Sequence, residues 1–257
     1  MKDALAKAND VTRVALVTGS GAPRIGNAVA RTLAARGYRV AVHANSSITQ
    51  AQQTAAEIVA AGGDALAVTA DLRDEQAVVG LARSVQQHFG RIDGLVNCAA
   101  VWPTKPLEQI TADDVREAFE INTLGTFLCC QQVGLVMVSQ PSGGAIVNFG
   151  DWAVRRPYLD YAAYFASKGA IPTLTRSFAA ELAARNPRVR VNAILPGPVM
   201  LPPDLSETDR AAAIAGTLLK REGTPQNIAE AVVFLLENDY ITGVSLPVDG
   251  GRSVHGL

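Results

Sequence analysis

Short apolar runs rich in β-branched residues alternate along the chain with longer stretches whose apolar positions recur every three or four residues. VALVTG (14–19) is a run of the first kind and ends in glycine, so it reads as a buried strand. NAVARTLAARG has the helical period and stops at Gly37. RVAVHA reads as a second strand, ITQAQQTAAEIVAAGG as a helix closed by glycine, DALAVTADL as a third strand and EQAVVGLARSVQQHFG as the next helix. GLVNCAA is a fourth strand, helical segments follow around 111–138, and GAIVNFG (144–150) is a fifth strand. The pattern predicts one long helix over YAAYFASKGAIPTLTRSFAAELAARN, with Pro172 as the place for a bend. VRVNAIL, AEAVVFLLE and GVSLPVDG then read as strand, helix and seventh strand.

Strands that are apolar on both faces and separated by helices imply a parallel sheet with helices on either side. The expected fold is therefore α/β: one doubly wound domain of the dinucleotide-binding Rossmann type over residues 1–257, with about seven parallel strands. Ligands in such sheets bind beyond the carboxyl ends of the strands. The glycine loop after the first strand, Asn97, Asp151 and Pro196–Gly197 all fall at that edge.

Composition narrows the classes. A chain of 257 residues, 48% hydrophobic and 18% charged, can bury one large core. A net charge of −1 leaves no footprint for nucleic acid or an anionic membrane. No continuous apolar run reaches the ~18 residues of a membrane span, and the opening MKDALAKAND lacks the apolar segment of a signal peptide. Cys98, Cys129 and Cys130 are too few for a disulfide framework and read as reduced. A cytoplasmic location is the expectation, and no residue cluster suggests a metal.

The chemistry concentrates in two segments. In YAAYFASKGA, Tyr164 and Lys168 stand four residues apart and share a helix face. A cation beside a phenol, which ordinarily ionises near pH ~10, favours the phenolate and prepares the group for proton transfer. TGSGAPRIG (18–26) joins a strand to a helix, where glycines allow close backbone approach and a helix N-terminus favours a pyrophosphate. Arg24 adds a cation at its mouth. The stretch VAVHANSS (40–47) carries no acid to hold a ribose 2′-hydroxyl and would not repel a 2′-phosphate. With Ser46 and Ser47 as hydroxyl donors and Arg24 as a cation, NADP(H) is the expected cofactor. Asp71 could hold the adenine amino group or cap the next helix.

The order of TG…RIG, ADL, VNCAA, INTLGT, Tyr164-x-x-x-Lys168, ILPGPV and PVDGG resembles the short-chain dehydrogenase/reductase family over nearly the whole chain. The resemblance implies a nicotinamide cofactor lying along Gly19, Ser20, Arg24, Ile25 and Gly26, then Asn45, Ser46, Ser47, Asp71 and Leu72. Beyond these it implies contacts from Asn97, Ala99, Tyr164, Lys168, Pro196 and Gly197. It implies Tyr164 as general acid/base, Lys168 as the group that holds the nicotinamide ribose and tunes the tyrosine, and Asn122 as support for a water relay. The glycine loop is one residue longer than usual, with Arg24 in place of its middle glycine. This leaves the phosphate donors open among Ser20, Gly21, Ala22 and Pro23.

Asp151 stands where most members of the family place a serine. An ionised carboxylate only accepts hydrogen bonds and opposes the negative charge that builds on a ketone oxygen. It would instead favour a C=N nitrogen that takes up a proton. Asp151, Tyr164 and Lys168 together with Arg24 resemble the pteridine reductases and dihydromonapterin reductases, which implies a pterin stacked on Trp102 and lined by Arg24 and Tyr161. The reading reached from sequence is NADPH-dependent reduction of a pterin C=N bond. The alternatives are a carbonyl reductase of the same family and, outside enzymes, a nucleotide-sensing protein. Residues 198–220 are expected to cover the substrate. A homotetramer is expected, with GGRSVHGL (250–257) reaching a neighbour's pocket.

Overall fold

A computed structural model describes residues 12–254. The opening segment MKDALAKAND and the last three residues of GGRSVHGL lie outside the described residues. The strands are β1 (Val14–Thr18), β2 (Arg39–Ala44), β3 (Asp64–Thr69), β4 (Gly94–Asn97), β5 (Gly144–Phe149), β6 (Val189–Pro196) and β7 (Ser245–Val248). The helices are α1 (Ile25–Ala35), α2 (Ile48–Ala60), α3 (Glu75–Phe89), α4 (Ala112–Ala118), α5 (Gly125–Ser139), α6 (Ala162–Gly169), α7 (Ile171–Ala183), α8 (Glu207–Ala215) and α9 (Pro225–Glu237).

All seven strands pair in parallel in the order β3-β2-β1-β4-β5-β6-β7. The order reverses between β1 and β4, and the chain ends that leave these strands diverge into a crevice there. Each strand sends alternate residues into one of two cores. Leu16, Leu95 and Ile146 pack on the side of α3, α5 and α7. Val17, Val96 and Val147 pack on the side of α1, α2 and α9. This is why the strands read as unbroken apolar runs.

Two element boundaries differ from the sequence pattern. The long helix expected over 161–186 is two helices meeting at Ala170, because Pro172 has no N–H to continue the first and starts α7 in its first turn. Asp71 does not cap the helix after β3: Asp74 does, accepting from Gln76 N and Ala77 N. The stretch 112–139 runs α4, a π-helical turn at Phe119–Leu124 and α5 without a break. Contrary to the expectation from continuous apolar runs, it contains a window long and apolar enough to cross a membrane by length and composition. Half of that window is buried within the fold, with Leu128, Cys129, Val133 and Met137 in the core.

Candidate active site

The glycine loop leaves β1 through Gly19, whose φ of +62° suits glycine. A Cβ there would stand 2.8 Å from Ala99 Cα, and one on Gly26 would stand 2.6 Å from Gly19 O. The two glycines thus let the loop turn tightly against Ala99 and on itself, forming a shallow cradle ahead of α1. That helix starts with Ile25 and Gly26, has no side-chain cap, and carries no acid in its first turn. Its leading N–H groups and the positive end of its dipole therefore face the crevice without a carboxylate competing. These features fit a dinucleotide pyrophosphate.

Ser20, one of the four candidate phosphate donors, has both of its donors engaged. Its N–H donates to His43 O at 2.9 Å, and its hydroxyl donates to Val17 O at 2.7 Å. Both donors serve the loop's own scaffold. Of the four open positions, Pro23 has no N–H, so Gly21 and Ala22 remain. Arg24, expected both as a cation for a 2′-phosphate and beside the substrate with Trp102, takes the second of these places. Its guanidinium stacks over the Trp102 ring at 4.5 Å from the centroid, on the side of the crevice that follows β4.

At the adenosine end, Asn45, Ser46 and Ser47 follow β2 beside the end of β3, where Ala44 pairs with Thr69. Asp71 is held by a fork from Arg73, with Nη2 at 2.6 Å from Oδ2 and Nε at 3.0 Å from both oxygens. That guanidinium holds the Asp71 carboxyl below its ordinary range. Leu72 points into the core rather than toward the crevice. Asn97 likewise turns its side chain inward, donating to Asn148 Oδ1 at 2.9 Å. Ala99 lies against Gly19, its N–H donating to Thr18 Oγ1 at 3.1 Å. Across the crevice, Pro196 ends β6, and Gly197 is closed against Asp249, where a Cβ would meet its Cα at 2.5 Å.

Tyr164 and Lys168 project from one face of α6, as expected. Lys168 is 3% exposed, and its ammonium donates to Phe149 O at 2.6 Å. Burial pushes it down to about 8, against a weaker upward pull from Asp151. The Tyr164 hydroxyl donates to Asp151 Oδ2 at 2.8 Å, and Ala153 N–H donates to Asp151 Oδ1 at 2.7 Å. Asp151 therefore both caps the short turn Trp152–Val154 and holds the phenol. Burial raises the Asp151 carboxyl above its ordinary value, while its hydrogen bonds and Lys168 lower it. The expectation that Lys168 draws the phenol toward ionisation is corrected. Burial first, then the Asp151 charge, drive the Tyr164 pKa well above 10. The phenol keeps its proton at neutral pH and is poised as a donor.

Asn122 lies in the π-helical turn and is fully buried. Its Oδ1 accepts from Val101 N at 2.9 Å, and its Nδ2 donates to Val101 O at 2.9 Å and Ser167 Oγ at 3.0 Å. It ties the segment leading to Trp102 onto α6, beside Tyr164 and Lys168. Trp102 is 45% exposed, and Tyr161 packs edge-on to Tyr164 and accepts from Thr104 Oγ1 at 2.7 Å. The expected cover includes α8, whose end is held by Arg252: its guanidinium bonds Ala213 O and lies 4.6 Å over the Trp152 ring.

Sequence reasoning missed His43 and Arg252. His43 sits in a plain strand pattern with nothing to mark it, and Arg252 acts across 39 residues.

Comparison with known proteins agrees with this geometry. Residues 21–253 match the family model described as enoyl-(acyl carrier protein) reductase. The chain is 36% identical over 251 residues to the uncharacterised oxidoreductase YgfF of Escherichia coli (strain K12), covering 93% of this chain and 99% of that one. It is 37% identical to a 3-oxoacyl-[acyl-carrier-protein] reductase of Synechocystis, over 93% of this chain and 96% of that one. Among solved structures it resembles acetoin dehydrogenase from Enterobacter cloacae, with TM-score 0.85, 35% identity, and 96% and 98% of the two chains covered. It also resembles a double mutant of a Serratia marcescens short-chain dehydrogenase/reductase, with TM-score 0.86, 33% identity, and 95% and 100% covered.

Proposed function

Because the chain belongs to the short-chain dehydrogenase/reductase family, we propose that it reduces a small carbonyl compound with NADPH, Tyr164 giving the proton. The observation that carries this is a protonated phenol held 2.8 Å from Asp151, with Lys168 buried one turn on, at the edge where the glycine loop opens. The family uses nicotinamide dinucleotides, and the cradle of Gly19 and Gly26 suits their pyrophosphate. When bound, the reduced nicotinamide supplies a hydride to the substrate carbon.

The residues do the rest. Gly21, Ala22 and the first amides of α1 hold phosphate, and Lys168 holds ribose hydroxyls. Tyr164 turns its O–H from Asp151 to the substrate oxygen and releases its proton as charge builds there. Asp151, raised by burial, offers an O–H of its own when protonated and opposes the reaction when ionised. Asn122 fixes Val101 and α6, and so the gap between Trp102 and Tyr164. The segment 198–220 covers the substrate and excludes water.

Two of the relatives cited have names that speak of carbonyl compounds, and none of the four names speaks of a pterin. A second reading, reduction of a pterin C=N bond, is favoured by one observation: both Asp151 oxygens accept hydrogen bonds, the pattern of a carboxylate. A carboxylate suits a nitrogen that gains a proton. Trp102 offers an aromatic face beside it. NADPH oxidation with a 3-oxoacyl thioester, a vicinal diketone, dihydrobiopterin and dihydrofolate decides between them. Turnover of the ketones supports the first reading. Turnover of the pterins alone replaces it with the second.

A further inference from the structure

His43 belongs to β2, yet its ring is built into the loop that leaves β1. Gly19 N–H donates to Nδ1 at 3.1 Å, and Nε2 lies 3.0 Å from Ala70 O. A backbone amide only donates and a carbonyl only accepts. The two contacts therefore require one ring state: neutral, with Nδ1 bare and the proton on Nε2. The residue is 1% exposed. Its backbone closes the same clasp, for His43 N–H donates to Ser20 Oγ at 3.1 Å and His43 O accepts from Ser20 N–H at 2.9 Å. One side chain thus joins the ends of β1, β2 and β3 at the edge of the crevice, and it grips the residue with the left-handed φ of +62°.

We propose that His43 is a positioning residue for dinucleotide binding: its neutral ring holds Gly19, and with it the phosphate-facing loop, in the geometry that binds. The proposal rests on the use of a nicotinamide dinucleotide and not on the identity of the substrate. Protonation would set an Nδ1–H against the Gly19 N–H and remove that support. Burial pushes the ring below its ordinary 6.5, against a smaller upward pull from the Ala70 carbonyl. The neutral state therefore persists through neutrality. The charged groups of the surrounding elements are turned elsewhere. Asp71 is held by Arg73, Asp74 caps α3, and Arg24 lies over Trp102.

The test is calorimetric binding of NADP+ to substrate-free protein between about pH 6.5 and pH 8, for native protein, His43→Asn and His43→Gln. Asparagine places an acceptor oxygen near the position of Nδ1; glutamine places its polar end nearer that of Nε2. Native Kd should be flat over this range, because the ring stays neutral there. The asparagine variant should bind nearly as native at about pH 7.5. The glutamine variant should bind about fivefold more weakly at neutral pH. Equal Kd values for all three, or an asparagine variant that binds as weakly as the glutamine one, would overturn the proposal.

Should the variants fail to fold, ¹⁵N NMR of native, dinucleotide-free protein decides. A bare Nδ1 and protonated Nε2 are expected; the reverse tautomer, or a charged ring at pH 7, overturns it. Native protein that binds no dinucleotide would remove the premise, whereas absence of turnover would leave the binding test intact.

Discussion

Replacing Asp151 by serine separates the two reactions the site can support. The carboxylate accepts from Ala153 N–H at 2.7 Å and from Tyr164 O–H at 2.8 Å, so in that state it has no proton to offer a substrate oxygen. A donor aimed at a developing oxyanion is worth about 10²–10³ in kcat. Serine supplies such a donor, and kcat/KM for a reactive ketone should rise by about 10² at neutral pH. The native enzyme should gain ketone activity as the pH falls and Asp151 takes up a proton, whereas the serine variant should lack that dependence. Reduction of dihydrobiopterin, if present, should fall by a comparable factor. The stability change works through opposing terms. Hydrogen bonds to a charged group contribute roughly 1.5–3 kcal/mol each. Against this, burial has raised the carboxyl. A raised acid favours the folded state below its unfolded value, near pH ~3.9, and costs stability as pH rises through its folded value. Serine loses the bonds and relieves the buried charge. The net change should stay within about 1–2 kcal/mol, or a few degrees in Tm. The assay is the ratio of kcat/KM for a diketone and dihydrobiopterin in the two proteins, with Tm alongside. An unchanged ratio would refute the role given to Asp151.

Three further outcomes are expected. Lys168, pushed down to about 8, should carry its charge only below that value, so kcat/KM should fall as pH rises through about 8. Between about 8 and 10.5 the unfolded chain binds the extra proton, so this group's effect on stability rises with pH there while activity falls; a pH–rate profile flat to pH ~10 would contradict its role. NADPH should exceed NADH in kcat/KM, and Asn45→Asp should erode that preference about tenfold through repulsion of the 2′-phosphate, which steady-state kinetics with both nucleotides would check. Phe127 and Leu135 are exposed on α5 and Phe234 on α9, and a homotetramer should cover them. Sedimentation at micromolar concentration should give four times the chain mass, and a monomer would exclude the assembly.

The alternation of parallel strands and helices could be read because the central strands are buried on both faces and most helices carry an apolar stripe. Tyr164 and Lys168 were legible for a local reason, their separation by a single helical turn. What lay hidden depends on contacts between distant segments. Ser20 reads as a phosphate donor until β2 is seen to take its N–H and β1 its hydroxyl. Arg24 reads both as a 2′-phosphate ligand and as a substrate contact, and the ring face of Trp102, 78 residues on, holds the guanidinium in the second place. Asp71 and Asp74 are equivalent as caps in the sequence, and Arg73 between them decides by binding the first. The fall of Lys168 and the rise of Tyr164 both follow from burial, which no four-residue spacing reveals.

The central claim is that Tyr164 delivers the proton in a dinucleotide-dependent reduction. Its most direct test is Tyr164→Phe, which removes the hydroxyl that donates to Asp151 and keeps the ring packed against Tyr161 and Phe165. Stopped-flow oxidation of NADPH with the best ketone of the panel should fall by about 10²–10⁴, while Kd for NADPH stays within about twofold of native, a change under ~0.5 kcal/mol. A variant that binds NADPH as native does and still turns over at a comparable rate would contradict the account.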